Sequence, residues 1–252
     1  MAHVLRLPFQ QILTYVTCPL KLGFSNSEGL LTATNLYVES VKTGIHTYFT
    51  EIGLKRKGSE ASVRSQKSFI AHWQANAGRI PNDHNSSLMF YQGHYLVSRI
   101  NTFYNPAIDE LVASKYLLEV SMAKDLVLQD TVDLLFVRKN KSRLTYRAVF
   151  LEGPQDFENQ RYQSLRSAFF KLALQRHLPS RRVTSFLYES RPVMGQDKVI
   201  YPETHMLKPV RTMAVSIAKA IKAGAIYPTN NREACKACAY NKICEASLIR
   251  EL

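Results

Sequence analysis

Three of the four cysteines in the chain lie within ten residues of one another. Cys235, Cys238 and Cys244 stand in the spacing C-x2-C-x5-C, and Cys18 lies more than 200 residues upstream. A close C-x2-C pair can grip one ion from a tight turn, and a third thiolate a few residues on narrows the site. Four thiolates suit zinc or an iron–sulfur cluster, and spacing alone does not choose between them. The plain alternative is four unrelated buried thiols. A disulfide fits less well. No stretch reads as a signal peptide or membrane span, so the expected location is the cytoplasm, where structural disulfides are rare.

Charge is the second chemical feature. Lys and Arg outnumber Asp and Glu by 33 to 20, a net charge of +13. A field of that sign favours polyanions, with nucleic acid ahead of an anionic membrane surface. Arg138, Lys139, Lys141, Arg143 and Arg147 crowd one short stretch and are candidates for phosphate contact without sequence readout. Arg161, Arg166, Lys171 and Arg176 fall five apart on a helical stretch, so they spread round it instead of forming one stripe. A solvated face is the alternative for both groups.

These residues need a scaffold. At 252 residues and 46% hydrophobic content the chain is globular and long enough to fold without staples. Helical spacing of apolar residues runs through "QQILTYVTC", "ATNLYVESVKTGIHTYFTEIG", "SVRSQKSFIAHWQAN" and "LMFYQGHYLVSRINTFY". The period then changes. "YLLEVSMA", "LVLQDTVDLLFVR" and "RLTYRAVFLE" read as strands, with turns at "KD" and "KNKS". A helix over "ENQRYQSLRSAFFKLALQRHL", a strand over "RRVTSFLYES", a short partner strand in "QDKVIYP" and a last helix follow, with Gly224 as the C-cap of that helix. The order predicts an α/β core behind an N-terminal helical portion, closed by a cysteine-bearing tail.

The settings of the cysteines carry a resemblance. Cys18, Pro19 and Lys21 form Cys-Pro-x-Lys at the end of the first helix. Pro228, Cys235, Cys238, Tyr240 and Cys244 follow the order Pro…Cys-x2-Cys-x-Tyr…Cys. Together they resemble the iron–sulfur nucleases of the RecB type in the PD-(D/E)XK superfamily. That group includes the nucleases of AddB helicase subunits and those used in CRISPR spacer acquisition. The resemblance implies a central mixed β-sheet flanked by helices, and a 4Fe–4S cluster on Cys18, Cys235, Cys238 and Cys244 that clasps the first helix to the tail.

It also implies a nuclease site, in which clustered carboxylates hold Mg or Mn and activate a water. "VKTGIHTYF" supplies Gly44 and His46 for the first motif. "DTVDLLFV" supplies Asp133, an acid in an apolar stretch that needs a metal or hydrogen-bond partner. Asp130 stands where glycine is usual. In the third motif, "RAVFLEGPQ", the acid position is Phe150 and the lysine position is Glu152. On the crossover helix Gln163 is kept, but the tyrosine position is Ser167.

The expected protein is therefore one domain over 1–252, with a helical portion at 1–110, an α/β core at 111–224 and a cluster tail at 225–252. It binds DNA, has protein partners in a DNA-processing complex, makes no membrane contact and does not cleave, leaving His46, Asp133, Glu152 and Gln163 as vestiges. Two alternatives stand beside this. One is a working Mg- or Mn-dependent exonuclease built on Asp133 and Glu152, helped by Glu119 or His46; the other is a zinc-stapled interaction adaptor.

Overall fold

The computed structural model describes residues 4–20, 33–100, 106–140, 143–152, 160–177, 183–192, 198–200, 204–225, 227–228, 235, 238 and 244. It gives backbone alone at 33–34, 139–140, 143, 152, 160–163, 177, 183–192, 198–200 and 204. Contacts gather the chain into two compact units. The smaller draws on Met1–Leu30, Glu119–Asp130 and His205–Leu252; the larger draws on Leu31–Leu118 and Thr131–Thr204. Among the described residues no helix is long and apolar enough to cross a membrane.

The smaller unit begins with a strand that the sequence does not predict. β1, Leu5–Pro8, pairs in parallel with the start of β3, Leu126–Asn140, from Leu5 opposite Leu126 to Pro8 opposite Gln129. Pro8 cannot donate to a ladder, and its fixed φ suits the entry to a helix. α1, Phe9–Thr17, follows at once and buries Phe9, Ile12 and Tyr15. It stops at Cys18, whose backbone is extended (φ −160°, ψ 108°). Pro19 accounts for this, because a residue before proline is pushed out of the helical region.

The last helix, α6, Leu207–Lys222, belongs to the same unit. It buries Val210, Ala214, Ile217 and Ala218 on one stripe. Gly224 has φ +68°. Its N–H donates to Ile221 and that of Ala225 donates to Ala220, at 3.0 and 2.9 Å. This is a Schellman end, and it needs a residue that tolerates positive φ.

In the larger unit three helices pack together: α2, Ala33–Gly53; α3, Gly58–Ala77; and α4, His84–Ser98. Gly93 on α4 is required there, because a Cβ would lie 2.7 Å from the Phe69 ring. β4, Arg143–Glu152, runs antiparallel to β3, from Leu134 opposite Val149 to Asn140 opposite Arg143. The crossover helix α5, Gln160–His177, returns the chain to β5, Val183–Pro192, which is parallel to β4. β6, Lys198–Ile200, is antiparallel to β5. β2, Asp109–Ala123, pairs with β3. The sheet is therefore mixed, as expected, and the helices fall on the stretches of apolar periodicity, although α4 ends at Ser98, short of the Tyr104 reached by the predicted helix.

Both sheet faces in this unit are covered. Leu134, Phe136, Val149 and Leu151 alternate onto one face and join the core with Tyr37, Ile45, Phe49, Phe69 and Trp73 of the helices. The residues between them, Leu135, Val137, Ala148 and Phe150, are also buried. This explains the unbroken apolar run about Asp133, since a strand covered on both faces does not alternate.

Candidate functional site

Asp133 lies on β3 in the larger unit and is buried. Its Oδ2 accepts the Leu151 N–H at 2.8 Å, and Lys42 Nζ stands 3.8 Å from the same oxygen. Its Oδ1 is 3.3 Å from His46 Nε2. The other ring nitrogen of His46, Nδ1, is 2.8 Å from Ser114 Oγ on β2. Helix spacing brings Lys42 and His46 to one face of α2, four residues apart. Burial works against the charged carboxylate. The hydrogen bond with His46, the Lys42 charge and the Leu151 N–H outweigh it and hold the Asp133 carboxyl below its ordinary value. Both oxygens are thus engaged by the protein's own groups.

Gly44, two residues before His46, has a packing reason to be glycine. A Cβ would lie 3.0 Å from both Val97 methyls and 3.2 Å from the Ser65 carbonyl oxygen. Phe150 lies on β4 next to Val149, which the register pairs with Leu134, the residue after Asp133. It is 1% exposed, stands edge-on to Phe170 of α5 (centroids 6.5 Å, 88°), and has the Arg166 guanidinium 4.1 Å above its ring centre. Ser167 is buried and donates to the Ser164 carbonyl at 2.9 Å within its own helix. The side chains of Glu152 and Gln163 lie outside the described residues.

The basic hairpin needs a correction. Arg147 does not face a solvent groove. It is 6% exposed, pairs through Nη1 with the buried Asp109, and has its guanidinium 5.7 Å from the centre of the Phe136 ring. Arg138 forks onto the same carboxylate, Nε to Oδ1 at 2.9 Å and Nη2 to Oδ2 at 3.3 Å. Two of the five expected phosphate contacts thus serve an internal charge. Lys141 and the side chains of Lys139 and Arg143 lie outside the described residues. Lys42, Asp109 and Ser114 are what the sequence reading misses. Lys42 had a signal, its i, i+4 relation to His46; Ser114 and Asp109 had none, because their partners are far away in the chain.

The four cysteines all fall in the smaller unit, and each is half-buried. The Cys238 N–H donates to the Cys235 carbonyl at 3.1 Å, closing the turn that a C-x2-C grip requires. The chain next to Cys18 is tied to the chain leading toward the other three. Tyr15 Oη donates to the Ala225 carbonyl at 2.8 Å, Leu20 N–H donates to the Tyr227 carbonyl at 2.9 Å, and the Tyr15 and Tyr227 rings meet edge to face at 6.4 Å. Thiols and a C-x2-C turn are the donors and the local shape that thiolate ligation uses. Among the described residues no three His, Cys, Asp or Glu side chains stand together as a metal-holding group.

No family model matches the chain, and no curated protein matches it. Two solved structures align over most of its length. The protein SSO0001 is 11% identical, with 95% of this chain and 98% of that one covered and a TM-score of 0.34. A protein from Eubacterium rectale that carries the provisional name exonuclease is 10% identical, with 90% of each chain covered and a TM-score of 0.40. Neither TM-score reaches 0.5, so the functional reading rests on the residues of this chain.

Proposed function

We propose that the chain is a nucleic-acid-binding protein on a nuclease-like fold whose catalytic position is closed, acting as a subunit of a DNA-processing complex. The observation that carries this is that both oxygens of the buried Asp133 are engaged by the protein's own groups. A magnesium site usually takes one or two carboxylates together with substrate phosphate. Here the single carboxylate is spent on His46, Lys42 and the Leu151 N–H. At the position where the resemblance expects the second carboxylate the chain has Phe150, whose ring is packed under Arg166 and against Phe170. The +13 charge supports binding to a polyanion.

Cys18, Cys235, Cys238 and Cys244 would hold a 4Fe–4S cluster in the smaller unit. When bound, such a cluster supplies a covalent cross-link between distant parts of the chain and requires no redox step. The support is the Cys235–Cys238 turn and the ties between 15–20 and 225–227.

The deciding experiment compares wild type, Asp133→Ala and the pair Phe150→Asp with Glu152→Lys on single- and double-stranded DNA, with magnesium or manganese. Circular dichroism checks that each variant is folded. Neither wild type nor Asp133→Ala is expected to cut, and the pair is the one variant with room to gain activity. Manganese-dependent cutting by wild type that vanishes in Asp133→Ala would overturn the proposal and establish a rearranged, working nuclease.

A further inference from the structure

The outer face of α4 is not needed for its packing. The helix buries Ser86, Met89, Gly93 and Val97. On the other side Leu88, Tyr91 and Tyr95 are 45%, 70% and 56% exposed, between His84 at one end and Arg99 just past the other, both exposed. Positions 84, 88, 91, 95 and 99 recur at helical spacing, so they form one stripe. Two large rings left in water on one stripe are a feature of binding surfaces.

Both rings are braced. Phe90 meets Tyr91 edge to face at 5.6 Å, and the Arg99 guanidinium covers the Tyr95 ring at 5.4 Å while bonding its hydroxyl. The stripe carries one cation, Arg99, and the chain has no Asp or Glu from His84 to Ile108. The Asp83 carboxylate is already used, capping α4 by accepting the Ser86 N–H at 2.8 Å. An acid-free face with Arg99 at its end suits an anionic occupant, and paired flat rings suit one that carries flat rings of its own.

The geometry points to a binding face for single-stranded nucleic acid on α4, with Tyr91 and Tyr95 stacking two bases and Arg99 beside the backbone. Four residues of helix put the tyrosines about 6 Å apart along the axis. Bases in a duplex stack at about 3.4 Å. The pair therefore takes bases from a strand that has been drawn out, not from an intact duplex. This rests on the nucleic-acid reading above and names the kind of strand and the surface that holds it.

The test is fluorescence anisotropy with a labelled oligothymidylate, an abasic strand of the same length, and a duplex. The double variant Tyr91→Ala with Tyr95→Ala is expected to bind oligothymidylate about tenfold more weakly or worse, while Tyr91→Trp with Tyr95→Trp keeps its affinity. Wild type should bind the abasic strand no better than the alanine pair does. Duplex affinity should be the same in all three proteins. The inference is overturned if the alanine pair holds oligothymidylate as wild type does, or if the abasic strand binds equally well. In either case DNA binding by wild type leaves the broader reading standing; no binding of any nucleic acid by wild type removes both. Polyglutamate that binds wild type more tightly than oligothymidylate, and loses that advantage in the alanine pair, would assign the face to an acidic protein segment and also overturn the inference.

Discussion

Asp109 and Asp133 are both buried carboxylates in the larger unit, and their partners decide what each can do. Asp109 takes a fork from Arg138 and a second guanidinium from Arg147. Burial opposes its charge, and the hydrogen bonds and charges of Arg138 and Arg147 outweigh that, so its carboxyl is held below the ordinary value. A carboxyl lowered in the folded state adds stability above the ordinary carboxylate range and loses it as pH falls through the folded value. Asp109→Asn should therefore flatten the acid limb of a stability profile measured by urea unfolding across pH. It should also cost about 3–5 kcal/mol near neutrality, because Arg147 stays buried without its anion. An unchanged acid limb would mean that Asp109 is not paired as described. Asp133 was legible in the sequence because an acid in an apolar run needs a partner; His46 was singled out by the resemblance alone, and its pairing with Asp133 was not foreseen. Arg147 was misread for a physical reason. Basic residues close together in sequence look alike, yet alternation on β4 sends Arg147 inward to an aspartate 38 positions away.

Strand and helix ends carry a second set of expectations. The sequence reading ended α2 at Gly53, and the helix does end there. The left-handed residue, however, is Lys55, with φ +58°. Its N–H donates to Ile52 and that of Arg56 donates to Glu51, at 2.9 and 3.2 Å, which is again a Schellman end. A side chain in that conformation costs about 1–2 kcal/mol that glycine avoids. Lys55→Gly should raise thermal stability by about 1 kcal/mol. A loss instead would show that the Lys55 side chain is needed elsewhere. Gly93→Ala should do the reverse despite its better helix propensity. The added methyl meets the Phe69 ring, which is held by Trp73 and Phe90 and cannot give way. Overpacking of this kind costs about 1–3 kcal/mol. β4 and the extent of α2 were readable from period alone, because long elements repeat their pattern. β1 was not. Four residues show no period, and the partner strand that makes Leu5–Pro8 extended lies about 120 positions downstream.

At the scale of the whole molecule, sequence order and spatial grouping part company. The smaller unit collects both chain termini and a hairpin from the middle, a grouping that contact between distant segments produces and local pattern cannot reveal. Charge acts at this scale too. A chain at +13 should bind DNA with affinity that falls steeply as salt rises. Because Arg138 and Arg147 already serve Asp109, reversing Lys139, Lys141 and Arg143 together should flatten that slope without unfolding the protein, as followed by anisotropy over a salt series. An unaltered slope would place the phosphate contacts elsewhere. The proposed cluster makes the strongest demand on the molecule, since Cys18 must reach thiolates more than 200 positions away. Pro19 keeps Cys18 out of the helix, and the bonds from Tyr15 and Leu20 to Ala225 and Tyr227 bring the two stretches together without any metal. Loop-closure entropy grows with loop length, so a cross-link across this span restricts the unfolded chain more than a local one would. Protein prepared without oxygen should carry about four irons per chain, with the brown absorption of a thiolate-held cluster. Cys18→Ala should lose most of that iron and lower the melting temperature, although Cys235, Cys238 and Cys244 remain. Tyr15→Phe removes the hydroxyl that bonds Ala225 and leaves all four thiols in place, so it should keep the iron and lose a smaller part of the stability. One zinc and no iron would establish the zinc staple instead, and full iron retention in Cys18→Ala would remove Cys18 from the ligand set and with it the clasp.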